Sequence, residues 1–286
     1  MNALTPLESL FEMVGGVALP LPPDLAHLYG RLAFPLHPGR AYVIGNFVTT
    51  LDGVVALDES GHTGGGDISG FNRHDRMVMG LLRAVADAVI VGAGTLRSVP
   101  QHRWMAQYIY PPLAEVYQQL RINMGKPAPP LNVIVTSQGV IDLELPLFQS
   151  GEVSVLLVTN TQGEERIRAQ NLQPPVQLSV IQSAGPLSAQ AILHEVNRIR
   201  QCDVILVEGG PRLMGDFFAG QALDELFLTL APQIAGRDGD VERPGLVKGK
   251  RFAPEHPLWG TLVSVKRSDS HLFLRYAFET KTNPHN

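Results

Sequence analysis

One cysteine, Cys202, stands in the 286 residues. A single thiol excludes a disulfide framework and any cysteine-rich zinc site within the chain. Charge is also scarce: Asp, Glu, Lys and Arg make up 17%, and the net charge is -4. Basic residues occur singly or in adjacent pairs rather than in longer runs, so no nucleic-acid partner is expected. No apolar run nears the roughly 20 residues that span a bilayer, so no membrane partner is expected either. The N-terminus carries Glu8 and Glu12 and lacks a basic region ahead of an apolar one, which argues against a signal peptide. A cytoplasmic protein is the expectation. The motifs H-E-x-x-H, H-x-E, C-x-x-C, G-x-S-x-G and the P-loop do not occur. No metal is therefore expected, and zinc hydrolases, zinc deaminases and serine hydrolases lose their signatures.

Hydrophobic residues are 44% of the chain, an ordinary globular share with ample material for a core. Residues 1–40 look like a separate extension, in which LESLFEM could form a short helix before the proline-rich LPLPPDL stops it. From Ala41 onward, residues 41–286 read as one domain. Apolar runs rich in Val, Ile and Leu (AYVIGNFV, DAVIVG, NVIVTS, VSVLLVT, DVILVEGG, DELFLTLAPQI) read as strands. GHTGGGDISG reads as a loop. The helix that follows has Asn72 or a neighbour as its cap and repeats Met77, Leu81 and Val85 every four residues. Arg97 to Pro130 reads as mostly irregular, with a helix at LAEVYQQL. SAQAILHEVNRIR and PRLMGDFFAG are further helices, and the last strands form a hairpin. Near-continuous apolar strands alternating with helices predict an α/β fold. Its central sheet is mostly parallel, with helices on both faces and an antiparallel C-terminal edge.

In such sheets a ligand lies beyond the carboxyl ends of the strands. Three strands end in polar or glycine-rich tips. VGAGTLR offers Gly92, Ala93, Gly94 and Thr95, a backbone that a phosphate can approach closely; the same residues also serve a tight strand-to-loop turn. VEGGPRL offers Gly209 and Gly210, then Pro211 at the first turn of a helix whose free N–H groups suit an anion. Glu208 would compete with that anion unless it faces another partner, either donor groups on a substrate or neighbouring backbone. NFVTTLDG supplies Asn46, Thr49, Thr50 and Asp52, and Asp52 equally fits a plain Asp-Gly turn. His62 and His102 sit in loops near the tips and read as solvated.

With those tips, the chain resembles the reductase domain of riboflavin biosynthesis. That domain is the C-terminal half of the bifunctional deaminase–reductase, and it also occurs in stand-alone forms. TTLDG resembles the family's S-L-D-G element, and DISG with LLRAVADAVIVGAGTLR its helix–strand–G-x-G-T block. LNVIVTSQGVIDLELPLF resembles the next strand and loop, and VEGGPRLMGDFFAGQALDELFLTLAPQIAG the E-G-G-x-x-L, DEL and AP signature. The four run in the family's order from about Ala41 to Phe278. Where bifunctional members carry acidic residues and proline after G-x-G-T, this chain has LRSVPQHRW, and it lacks the deaminase half.

The resemblance implies a dihydrofolate-reductase-like fold, NADPH as cofactor, and reduction of the ribosyl group of a phosphoribosylamino-pyrimidine to ribityl. Cofactor contacts are implied at Val48, Thr49, Gly92, Ala93, Gly94, Thr95, Ser137, Gly209, Gly210, Pro211, Arg212 and Leu213. Substrate contacts are implied at Ser69, Arg83, Arg103 and Glu208, and Asn46 and Thr50 at the NFVTTLDG tip are further substrate-binding candidates. Asp52 and Glu208 are the candidates for a general acid. The family also implies a homodimer. Reduction of another small substrate such as a pterin, or nucleotide binding without turnover, are the alternative readings.

Overall fold

The computed structural model describes residues 4–280 apart from 171, 173, 174, 184 and 240. The chain opens with β1 (Glu8–Glu12), β2 (Val17–Ala18), α1 (Pro23–Tyr29) and β3 (Ala33–Phe34). Then come β4 (Tyr42–Thr49), α2 (Gly65–Ser69), α3 (Arg73–Val85), β5 (Ala88–Gly92), α4 (Ala93–Ser98), α5 (Ala106–Ile109), α6 (Ala114–Asn123) and β6 (Leu131–Thr136). The second half holds α7 (Pro146–Gln149), β7 (Val155–Asn160), α8 (Thr161–Arg168), β8 (Val176–Ile181), α9 (Ala189–Ile199), β9 (Val204–Val207) and α10 (Pro211–Ala219). It ends with β10 (Glu225–Leu230), β11 (Thr261–Ser268) and β12 (His271–Ala277).

Ten strands form one sheet in the order β1-β11-β12-β10-β4-β9-β5-β6-β7-β8. From β10 to β8 every neighbouring pair is parallel, and β12, β11 and β1 add an antiparallel edge. This is the α/β architecture expected. The inner parallel strands β5, β6, β7 and β9 are buried on both faces, which is why they lack a polar alternation. Period-2 geometry divides them: Ile44, Val89, Val91 and Leu206 face the helices α3 and α6, while Val43, Ile90, Ile205 and Val207 face α9 and α10. A fully buried leucine in such a layer contributes about 1.5–3 kcal/mol.

Several local expectations are corrected. LESLFEM is not a helix: Glu8–Glu12 pairs with β11, where Arg267 and Lys266 meet Glu8 and Glu12. A neighbouring strand and cross-strand ion pairs outweigh local helix propensity there. Residues before Ala41 are no separate extension in packing terms, since Leu25, Tyr29, Leu32 and Phe34 join the main core beside Ile44 and Phe227. The Arg97–Pro130 stretch contains α4 and α5 as well as α6, and α8 and β8 lie in a segment where neither was anticipated. GGDIS is the short α2 rather than loop. Asn72 does cap α3, accepting from the amides of His74 and Asp75. β10 lies between β12 and β4, so ELFLTL forms an interior strand of the sheet.

Candidate active site

The chain leaves β4, crosses to β5, continues outward to β8, and returns to place β9 between β4 and β5. That return is the topological switch point, where crossovers leave in opposite directions and open a crevice above the strand ends. The three tips singled out in the sequence, after β4, β5 and β9, are therefore neighbours.

Two of them are clamped together. The Gly92 amide donates to the Gly209 carbonyl at 2.7 Å, and the Glu208 amide to Ile90 at 3.0 Å. α4 and α10 begin side by side at Gly92 and Gly210, with Thr95 Oγ1 facing Gly210. A Cβ on Gly210 would come within 3.2 Å of that hydroxyl, and one on Gly209 within 2.6 Å of Phe47 Cζ. Gly209 has φ +97°, and its bond to Gly210 is cis. In α10 the Met214 amide is the first to reach back to Gly210, so the amides of Arg212 and Leu213 remain open to an anion. A glycine-lined cradle with free amides fits a pyrophosphate. Arg212 is exposed beside it, Val48 and Ser137 are half-buried, and Ala93 and Leu213 are buried.

The long segment from Ala231 to Gly260 frames one side of this region. The Lys248 amide donates to the Pro211 carbonyl and the Val55 amide to Pro244. Nothing in its sequence pattern distinguished it from an ordinary connection, although loops of this length are uncommon without a task.

Beneath the β9 tip the carboxylate of the VEGG run finds its partner. Arg83 Nη2 and Nε donate to Glu208 Oε2 at 2.7 and 3.1 Å, and Nη1 meets His102 Nε2 at 2.8 Å. The side chains of Arg83 and Glu208 are 1% and 4% exposed. The resemblance implies a substrate contact for each of them; in the structure the two side chains also pair with each other. Glu208 is consequently spared the conflict with an anion at α10, because its charge is neutralised from below. Arg103 also turns away, pairing with Glu152 at 3.0 Å just before β7 and stacking on Tyr108. That place lies towards the N-terminal ends of the strands, so Arg103 is not brought to the tips.

His102 is no solvated loop residue. Its ring meets Trp104 and Tyr108 edge-on. Burial first, then the charge of Arg83, pushes its pKa from 6.5 down to about 2. It is neutral and accepts from Arg83 through Nε2, which puts its proton on Nδ1. The unfolded chain takes up that proton near pH 6.5, whereas the folded one resists it to about 2. Stability linked to His102 is thus full above pH 6.5 and falls steadily below it. A His102→Gln variant should lose that slope in urea midpoints measured from pH 7.5 to 5; an unchanged slope would assign it to other groups.

Asp52 has a structural task. It accepts from Thr50 Oγ1 at 2.6 Å and from the amides of Ala235 and Gly236. The Thr50 hydroxyl chiefly, then the Ala235 amide, lower its pKa to about 2. These donors hold it as an anion and use its oxygens to close the turn. Thr50 closes the same turn by accepting from Val54, and Thr49 Oγ1 reaches Thr50 and Val54 carbonyls. Ser69 is buried and donates to the Gly66 carbonyl. It adjoins Asp75, whose carboxyl pKa is raised by burial against hydrogen bonds from Thr229 and Ser69. Asn46 is buried on the same face, beside Thr229 and Phe227. Among the described residues no cluster of His, Cys, Asp and Glu suits a metal, and no helix is long and apolar enough to cross a membrane.

Comparison with known proteins gives the same architecture. A Corynebacterium diphtheriae pyrimidine reductase-like protein shares 21% identity over 84% of this chain and 93% of its own, with TM-score 0.66. The Thermotoga maritima diaminohydroxyphosphoribosylaminopyrimidine deaminase/5-amino-6-(5-phosphoribosylamino)uracil reductase also shares 21%, over 84% of this chain and 57% of its own, with TM-score 0.60. The Saccharomyces cerevisiae riboflavin biosynthesis reductase shares 12%, over 86% and 93%, with TM-score 0.58. The chain thus spans nearly all of the first and third but little more than half of the Thermotoga protein. At these identities the likeness establishes the fold. No curated protein sequence matches the chain. The RibD C-terminal domain matches residues 41–268, most of the chain, and the chain therefore belongs to that family, the riboflavin-biosynthesis reductases.

Proposed function

We propose that this chain uses NADPH to reduce the ribosyl group of a phosphoribosylamino-pyrimidine to ribityl. The observation that carries the reading is the clamp of the β5 and β9 tips, which sets two glycine-lined helix starts side by side at the switch point. Gly92 to Thr95 and Gly209 to Leu213 would hold the pyrophosphate, with Val48, Thr49 and Ser137 beside the rest of the cofactor. When bound, NADPH would supply the hydride to C1′ of the opened, imine form of the sugar, whose nitrogen takes its proton from solvent before the hydride arrives. The chain's own contribution is orientation and exclusion of water. The Arg83–Glu208–His102 group stiffens the floor of the crevice rather than touching the reacting atoms. The reading also carries the homodimer and the cytoplasmic location expected from the family.

Reduction of an unphosphorylated molecule such as a pterin is the second reading, favoured by the engagement of both Arg83 and Arg103 with carboxylates. Both are tested by anaerobic NADPH oxidation with 5-amino-6-(5-phosphoribosylamino)uracil, its undeaminated diamino counterpart, and a dihydropterin precursor. Turnover of either pyrimidine supports the first reading. Turnover of the pterin alone replaces it, and NADPH binding without any turnover leaves a nucleotide-binding relative.

A further inference from the structure

The turn after β6 is flanked by two arginines with donors to spare. Arg97, in the last turn of α4, is exposed. Its Nη1 reaches the Val140 carbonyl at 3.4 Å, a long hydrogen bond, and its Nη2 lies 3.9 Å from where a Cβ on Gly94 would stand. Arg166, on α8, donates Nη1 to the Gln138 carbonyl at 3.1 Å. Neither is ion-paired among the described residues, whereas Arg83, Arg103, Arg198, Arg243, Arg267 and Arg275 all are. The nearby acid Glu164 is taken by Arg168, and Asp142 accepts from the Glu144 amide on the exposed approach to α7.

The turn itself is held firmly. Gly139 donates to Thr136 Oγ1, and Thr159 Oγ1 donates to the Thr136 carbonyl. Gly139 sits at φ +67° so close to α8 that a Cβ would fall 2.2 Å from the Gly163 carbonyl oxygen. Two guanidiniums without a carboxylate partner thus flank a fixed turn, with Arg97 beside the Gly92–Thr95 tip.

A dinucleotide in the crevice has its direction limited. The β4 side carries Val48, Thr49 and the buried polar face at Asn46 and Ser69, where the reacting end belongs. Its adenosine end then extends the other way, over β5 towards β6 and the Arg97 turn. Guanidiniums without a carboxylate partner, on either side of a turn, suit a phosphate monoester, with two charges and several acceptor oxygens.

We propose that Arg97, assisted by Arg166 across the Ser137–Val140 turn, holds the extra phosphate monoester of a phosphorylated dinucleotide and sets the preference for NADPH over NADH. The inference rests on the reductase reading. It is tested by fluorescence titration of NADPH and NADH with the full chain, Arg97→Ala, Arg97→Lys and Arg166→Ala. Arg97→Ala should weaken NADPH at least about tenfold and leave NADH within about twofold, because an exposed charge-assisted contact is lost from one ligand only. Arg97→Lys should recover part of the loss, and Arg166→Ala should shift the ratio less, in the same direction. Equal weakening of both nucleotides, or an unchanged ratio, overturns the inference and leaves the reductase reading standing. Failure of the unaltered chain to bind either nucleotide overturns both.

Discussion

Glu208→Ala should destabilise the protein by about 3–5 kcal/mol, because it leaves the Arg83 guanidinium charged and buried without a counter-ion. Arg83 is 1% exposed and the His102 ring on its other side is neutral, so no water and no second anion replaces the lost carboxylate. A domain's whole stability is about 5–15 kcal/mol, so the loss is a large part of it. Removing both charges with Arg83→Met and Glu208→Leu should recover most of the loss, since the desolvation cost of the pair disappears with the pair. Urea unfolding of the two single variants and the double variant measures this directly. A single variant costing under about 1 kcal/mol would mean that the pair is solvated and that Glu208 is free to meet a ligand. The same energetics remove Arg83→Ala as a clean test for a substrate phosphate: its effect on turnover would be confounded by the collapse of the crevice floor.

The carboxylate at the β9 tip illustrates what the sequence made legible. Its position at a strand end followed from the apolar run and the two glycines. Its partner did not, because Arg83 lies on a helix 125 positions away and the pairing is set by how α3 crosses β9. The parallel strands other than β8 and the helices α3, α9 and α10 were readable because burial on one stripe or both faces imposes a pattern; β8, mostly half-buried, carries none. β1 was not readable, since four exposed residues and one half-buried one on a sheet edge carry no such pattern and depend on β11 for their hydrogen bonds. The glycine tips were found as separate motifs; that they adjoin follows from the return of β9 between β4 and β5. Asp52 and Thr50 were drawn into the site by proximity in sequence, yet their groups are used to close the turn. Arg97 was passed over because a lone exposed arginine is common, and only its lack of a carboxylate beside Gly94 distinguishes it.

The second large effect is expected at Gly209, where the clamp between the two tips depends on one backbone conformation. At φ +97° an L side chain costs about 1–3 kcal/mol, and the Cβ of Gly209→Ala would also meet the ring of Phe47. The contacting atom is Phe47 Cζ, the far end of a half-buried side chain, so the ring contact alone does not decide the outcome. The dihedral does. Relaxing it moves the Gly209 carbonyl, which accepts from Gly92, and so separates the start of α4 from that of α10. NADPH affinity should fall at least about tenfold, a loss of roughly 1.4 kcal/mol or more, alongside the loss of stability. Gly92→Ala is the control for backbone effects. Its φ is -79°, and a Cβ there meets Gly210 N no closer than 3.7 Å, so the fold should keep its stability while only the approach of a ligand narrows. Combining Gly209→Ala with Phe47→Leu separates strain from collision. If the ring were the cause, the double variant would bind NADPH like the original chain. If the dihedral is the cause, binding stays weak with the smaller side chain in place, and the two tips act as one device held by the Gly92–Gly209 hydrogen bond.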